Sequence, residues 1–267
     1  MTTIAMHQPD LLPYSGFWHK MAMADVFEIG IYYQYSKSGY QRRVKMRDQW
    51  AAVPLIGNPG YIPIKDVRID PKQAGIALRN IIKGRYAGAP YWKLRGEELV
   101  NLVEDNHTDR LWQYNLNLIL GVRDMLGITT PVAVGSPLKG AKTEALVHAL
   151  QQYGTGVHHL SGPGARVYMN EGGEFDDAGI GFSFTRHAPV TGDSIVTVLM
   201  DYRDPLEIVL RTEGQEGSRA RPSWCRPSTR AATSRSWWHV CRRWCPLTPR
   251  FCSWTTPPTT PRRSSPS

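Results

Sequence analysis

The chain runs in short apolar and polar blocks whose period changes along its length, and those changes predict an α/β domain. Residues 3–6 form a short apolar strand, and residues 16–24 set Phe17, Met21 and Ala24 on one helical stripe. Residues 26–33 are rich in β-branched and aromatic side chains and predict a second strand, giving a β-α-β opening. Over residues 40–46 the period is two: Arg42, Val44 and Met46 face one way, and Gln41, Arg43, Lys45 and Arg47 face the other. Residues 51–71 are broken by Pro54, Pro59, Pro63 and Pro71 and read as short strands joined by turns, with Asn58-Pro59-Gly60 as a turn signal.

Three helices are predicted over residues 74–86, 90–104 and 109–126, the last ending at Gly127. A strand over 128–134, an amphipathic helix over 142–153 closed by Gly154, and a strand over 157–160 follow. The glycine turn Ser161-Gly162-Pro163-Gly164 ends that strand, residues 180–184 form a late strand, and residues 194–200 fit either a helix or a strand. Strands alternating with helices predict a mainly parallel central sheet with flanking helices, with the helices between 74 and 126 as an insertion.

Composition then divides the chain. It carries 32 Lys and Arg against 23 Asp and Glu, yet residues 218–267 hold ten Arg, no Lys and no acidic residue. Removing those ten leaves 22 basic against 23 acidic residues, so the preceding domain is close to neutral. The same segment holds all four cysteines, five of the nine tryptophans and eight prolines. Arginines interleaved with tryptophans could bind nucleic acid. Cys241 and Cys245 are four apart, but no second pair completes a zinc tetrahedron. A GC-rich gene translated out of frame gives this same Arg, Pro, Ser, Thr, Trp and Cys mixture. We therefore expect one α/β domain over residues 1–213 and a disordered, out-of-frame segment over 214–267, and nucleic acid is not an expected partner because the basic charge is confined to that segment. The domain lacks cysteine, which suits a reducing compartment. No run approaches about 18 apolar residues and no basic-then-apolar leader opens the chain, so a cytoplasmic protein without membrane contact is expected.

The candidate chemistry begins where the first strand ends. His7 precedes Gln8-Pro9, and a residue before proline is pushed out of the helical region, so the histidine is delivered into an extended loop. An imidazole there suits general acid or base work. His19 and Lys20 follow in the next helix, near its positive end, where an anionic group could bind. His7, His19 and Asp10 lack a recognisable metal-ligand spacing, so no metal is expected. Gln41 and Arg43 present donors on one strand face, and arginine grips carboxylates and phosphates through a bidentate fork. Ser161 and Gly162 place a hydroxyl and backbone donors at a strand end, although Pro163 removes one donor. His107, His148 and His187 are assigned to surface or packing. No GxGxxG or GxxxxGK[ST] sequence occurs, so neither a dinucleotide fingerprint nor an ATPase phosphate loop is present, and the cofactor is left open.

Several of these residues also carry a resemblance. His7-Gln8-Pro9, Leu12-Pro13, Gly16-Phe17, His19-Lys20 and residues 24–27 are similar to the opening of the WbqC-like proteins. Gln34-Tyr35-Ser36-Lys37, residues 40–43, Tyr86, residues 89–91, residues 126–128, Ser136, residues 153–154, residues 160–165, Tyr168, Phe175 and residues 179–180 continue it over roughly residues 3–200. Asp10 departs from it, since such proteins more often carry an amide or similar residue there. These are bacterial proteins often found among genes for surface polysaccharide or natural-product assembly. The resemblance implies a transferase moving an acyl, aminoacyl or glycosyl-type group onto an amino sugar or small natural-product acceptor, with His7 as base. The alternative is a non-catalytic module that holds a carrier- or nucleotide-linked intermediate. The partner is then a small-molecule or carrier-linked substrate; the oligomeric state does not follow from the sequence.

Overall fold

Seven strands and nine α-helices are arranged in chain order within a computed structural model that describes residues 1–140, 142–169 and 173–214. The Arg-rich segment for which disorder is expected lies outside the described residues from residue 215 onward. The strands are β1 (Thr2–His7), β2 (Val26–Ile29), β3 (Arg43–Met46), β4 (Gln49–Ala52), β5 (Val132–Val134), β6 (Val157–Ser161) and β7 (Gly181–Phe184). The helices are α1 (Ser15–Ala22), α2 (Pro71–Tyr86), α3 (Trp92–Glu104), α4 (Leu111–Leu126), α5 (Lys142–Gln151), α6 (Arg166–Met169), α7 (Glu174–Asp177), α8 (Ile195–Asp201) and α9 (Pro205–Leu210).

Five strands form a parallel sheet of order β5-β2-β1-β6-β7. The α/β architecture with a parallel central sheet is therefore as expected, and α2, α3 and α4 lie in the long insertion between the neighbouring strands β2 and β5. The chain winds outward from β1 through β2 to β5, then returns to the other side of β1 with β6 and β7. Between β1 and β6 the winding direction reverses. In open α/β sheets that reversal leaves a crevice at the carboxyl ends of the strands, because the connections leave in opposite directions.

The pleat of β1 divides the core. Ala5 joins Phe17, Phe27 and Leu118 on one face of the sheet, whereas Ile4 and Met6 join Val147, Leu150 and Phe175 on the other. Both faces are covered by helices, as a parallel sheet requires. Gly127 ends α4 as expected, at φ +73°, whereas α2 begins at Pro71 rather than at residue 74, because Asp70 accepts from Gln73 N at 3.1 Å and Pro71 fits the first turn.

Two expectations about the insertion are corrected. The second strand ends at Ile29 rather than Tyr33: Gly30 N makes the last ladder bond to β1, to His7 O at 2.8 Å, and the next residues bond elsewhere. Lys65 N donates to Ile31 O, Ile64 N to Tyr33 O and Tyr35 N to Ile62 O, so this stretch pairs with residues 62–65.

The period-two alternation begins only at Arg43, and Gln41 and Arg47 leave the exposed face. Arg47 and Asp48 form a two-residue hairpin turn with φ +53° and +59°, the primed geometry that right-twisted strands favour and that non-glycine residues adopt at a cost. The Asp193 carboxylate compensates by accepting Arg47 N at 3.0 Å and Asp48 N at 3.2 Å. The Arg47 guanidinium forks onto Asp201, with Nη2 to Oδ1 at 2.6 Å and Nη1 to Oδ2, and lies over the Tyr86 ring. Removing one partner of such a pair leaves an uncompensated charge. Because 30% of the Arg47 side chain is open to water, Asp201→Ala is expected to cost about 2 kcal/mol in urea denaturation, less than a fully buried pair would. An unchanged midpoint would show the hairpin to be held without this pair.

Candidate functional site

The carboxyl end of β1 is where side chains gather. Extending the register Ala5↔Leu160 places Met6 beside Ser161 and His7 beside Gly162. Two expected site pairs, from opposite ends of the domain sequence, are thus brought to one strand boundary at the sheet's switch point. The loop after His7 is pinned from several sides. Asn115 Nδ2 donates to Pro9 O at 2.7 Å and to Gln41 O at 2.6 Å; Leu11 N donates to Tyr40 O at 2.9 Å; Trp18 Nε1 donates to Pro13 O at 3.0 Å. Ser194, which caps α8 through Val196 N, donates its hydroxyl to Leu12 O at 2.6 Å. These contacts hold Leu12 at φ +40°, a left-handed conformation that costs an ordinary residue on the order of 1 kcal/mol.

Inside this loop lies a desolvated polar cluster. Gln41 Nε2 donates to Gln8 Oε1 at 2.6 Å and to Asp10 Oδ1 at 3.1 Å, while Gln41 Oε1 is buried with no hydrogen-bond partner. Gly39 passes so close that a Cβ there would lie 2.3 Å from that oxygen. Asp10 Oδ2 is 3.7 Å from His7 Nδ1. His7 Nδ1 also lies 3.0 Å from Gln8 O; a carbonyl can only accept, so Nδ1 carries the proton and Nε2 keeps its lone pair. The imidazole edge packs on Phe17, with ring centroids 5.0 Å apart.

Lys20 completes the cluster. Helical side chains lean toward the amino terminus, so a lysine in the second turn of α1 reaches back to β1 and donates Nζ to Met6 O at 2.8 Å. An ammonium has three donors, and the described residues give this one a single hydrogen-bond acceptor although the residue is 5% exposed. Burial drives all three ionisable groups toward their neutral forms. The Lys20 pKa falls to about 7, opposed by Asp10; the Asp10 pKa rises to about 7, opposed by the Gln41 hydrogen bond and by Lys20. Burial and then the charge of Lys20 lower His7 to about 3, so its ring is neutral at pH 7 although 32% of the side chain is open to solvent.

The other expected site residues go elsewhere. His19 is one position from Lys20 and so points about 100° around the helix. Its Nδ1 donates to Val209 O at 2.9 Å, and its ring stacks on His187 at 4.8 Å. His187 in turn donates Nδ1 to Arg211 O and pairs Nε2 with the Ser15 hydroxyl at 2.8 Å. The two histidines tie the end of α9 and the residue after it to α1. Arg43 lies on the outer face of the hairpin, donating to Ser38 O at 2.8 Å and stacking on Trp50.

A model of the WbqC-like protein family matches residues 8–191, beginning directly after His7 and taking in the crevice loop, the insertion and the β6 turn. The chain belongs to the WbqC-like protein family. It is similar to the uncharacterized protein Rv1507c of Mycobacterium tuberculosis, with 28% identity over 179 residues covering 64% of this chain and 77% of that protein. No solved structure matches the chain.

Within this WbqC-like domain the structure adds polar groups that were not singled out as binding or catalytic from the sequence. Asn115 was legible in principle, because it interrupts the apolar stripe Leu111, Tyr114, Leu118, Ile119 and Val122 of α4. Glu28 sits between Phe27 and Ile29 in a buried strand, accepts from Tyr153 Oη at 2.6 Å, and has its carboxyl pKa raised by burial. Gly135 accommodates it, since a Cβ there would lie 2.6 Å from Glu28 Oε1. Among the described residues no three His, Cys, Asp or Glu side chains converge as metal ligands, and no helix is long and apolar enough to cross a membrane.

Proposed function

We propose that this WbqC-like chain is a transferase that moves an acyl, aminoacyl or glycosyl-type group onto an amine or hydroxyl of an amino sugar or small natural-product acceptor. The observation that carries this reading is the buried Lys20–Asp10–His7 cluster at the carboxyl end of β1, at the switch point of the sheet. His7 Nε2 accepts the hydrogen bond of the acceptor's N–H or O–H, because Nδ1 is occupied by Gln8 O. An anionic donor group placed against Lys20 satisfies its remaining N–H donors. It also offsets the charge that depresses the basicity of His7, so donor binding prepares the base. Asp10, 3.7 Å from Nδ1, then stabilises the imidazolium as the proton arrives. Ser161 and the Gly162 backbone line the neighbouring strand end and bind the substrate. The cofactor, if the reaction uses one, is not identified by these residues.

A second reading, a binding module for a carrier- or nucleotide-linked intermediate, is favoured by one observation: His7 in the free protein is a weak base. A thermal-shift screen of the full chain against nucleotide sugars, amino sugars, acyl-coenzyme A thioesters and amino acids separates the two. A ligand at 100 times its Kd stabilises by about 2.7 kcal/mol. The expected result is a shift that Lys20→Met abolishes and that His7→Ala largely retains, with turnover lost in both. A ligand bound equally well by both variants, with no product in either variant or the wild type, would sink the transferase reading.

A further inference from the structure

The loop that carries the cluster continues into an exposed aromatic surface with its own cations. Tyr14 precedes α1, and its ring covers Gly16 so closely that a Cβ there would lie 2.5 Å from it. Burial, then Tyr40 and Asp10, raise the Tyr14 pKa, which sets its hydroxyl within electrostatic reach of both. Tyr40 is tied to the crevice loop through Leu11 N, and its ring centroid is 6.1 Å from that of Trp50 on β4. Lys45 is the cross-strand partner of Trp50 and Arg43 lies on the same face of β3. The Arg43 guanidinium is 4.3 Å from the centroid of the Trp50 ring and Lys45 Nζ is 5.8 Å from it. Arg43 Nε is buried without a hydrogen-bond partner.

These features are uncommon on a solvated hairpin. Its opposite face is sealed in the core by Val44, Met46 and Ala51, so the strands need no further cover for stability. Even so, 45% of Trp50 and 54% of Tyr40 remain exposed beside two cations with no carboxylate partner among the described residues. A neutral sugar would use the rings and leave the cations idle. Inorganic phosphate would use the cations and leave the rings idle. A ligand joining a flat base to clustered negative charge uses both, through stacking and through charge-assisted hydrogen bonds. We propose that the outer face of the β3–β4 hairpin, formed by Tyr40, Trp50, Arg43 and Lys45, seats a nucleoside diphosphate, the handle of the group donor, with Tyr14 marking the passage to the crevice. This rests on the transferase reading for its role as a donor handle, but the binding itself is tested without it.

The test is isothermal titration calorimetry of the full chain with UDP and ADP, beside uridine and inorganic pyrophosphate. At least one nucleoside diphosphate is expected to bind about tenfold or more tightly than uridine or pyrophosphate, in line with the stacking contribution of a single aromatic ring. Trp50→Leu and Arg43→Ala should each weaken it about tenfold, and Trp50→Tyr should restore most of the loss. His7→Ala, which alters the crevice and not the hairpin, should bind as the wild type does. Equal affinity in Trp50→Leu and wild type overturns the proposal, as does pyrophosphate binding as tightly as the better of the two nucleotides, which would assign the anion to Arg43 and Lys45 alone. Nucleotide binding on the hairpin with no crevice ligand would count against the transferase reading only. A crevice ligand lost in Lys20→Met, with no nucleotide bound, would count against the hairpin site only.

Discussion

Trp18→Ala is expected to lower unfolding free energy by about 4 kcal/mol, the range found when a fully buried tryptophan is truncated. Trp18 is 0% exposed, packs edge-on against Phe17 at 5.2 Å, and joins a core cluster with Met21, Leu11 and Leu12. Its indole N–H also donates to Pro13 O, which accepts Ile195 N as well, so the substitution removes both volume and one of the hydrogen bonds that pin the crevice loop. A domain of this size holds roughly 5–15 kcal/mol in total, and the loss would consume a large part of it. Trp18→Phe separates the two effects: it keeps most of the apolar area, removes the indole hydrogen bond while Ile195 N still donates to Pro13 O, and should cost about half as much or less. Urea denaturation of both variants measures this. Equal midpoints for wild type and Trp18→Ala would mean that the loop and helix repack around the void.

The β1–α1–β2 opening was legible in the sequence because its apolar period is clean and its ends are marked by Pro9, Pro13 and Gly16. Helices α2, α3 and α4 were legible for the same reason, with Gly127 as the last boundary, although Pro71, read as a breaker, in fact opens α2 behind the Asp70 cap. The four-residue helices α6 and α7 are shorter than any period that could announce them. Gln41 was read on an exposed strand face, yet it is 3% exposed, because the strand begins two residues later and the preceding bend turns the amide inward onto Gln8 and Asp10. His19 and Lys20 read as one cationic pair, but the helix separates neighbours by about 100° and sends one to α9 and the other to β1. Asp10 was visible as a departure and as a member of a set without metal-ligand spacing. Its weight in the cluster comes from Lys20 and His7, which are near it only once α1 has docked on the sheet.

Asp10→Asn is expected to make the folded chain more stable and, on the transferase reading, less active. Burial raises the Asp10 pKa from 3.8 to about 7, so between those values the folded chain keeps a proton that the unfolded chain has released. Its contribution to stability therefore falls as pH rises from about 4 to about 7. His7 and His159 act in the opposite sense: each is lowered from 6.5 to about 3, so the unfolded chain binds more protons, and stability is lost as pH falls below about 6.5. In the wild type these slopes oppose one another; the asparagine variant loses the Asp10 slope, so its stability should rise with pH relative to the wild type over this interval. Its advantage over the wild type should be small near pH 4 and on the order of 3 kcal/mol at pH 8. That is less than the full linkage of about 4 kcal/mol, because ionised Asp10 also supports the Lys20 ammonium. On the transferase reading, turnover of the substrate found by the thermal-shift screen should meanwhile fall about 10²- to 10⁴-fold, because the charge proposed to stabilise the His7 imidazolium is lost. Denaturation curves at pH 4 and pH 8 combined with turnover at pH 8 test both halves. A variant no more stable at pH 8, or one that keeps full activity, would reduce Asp10 to part of the loop's hydrogen-bonded frame.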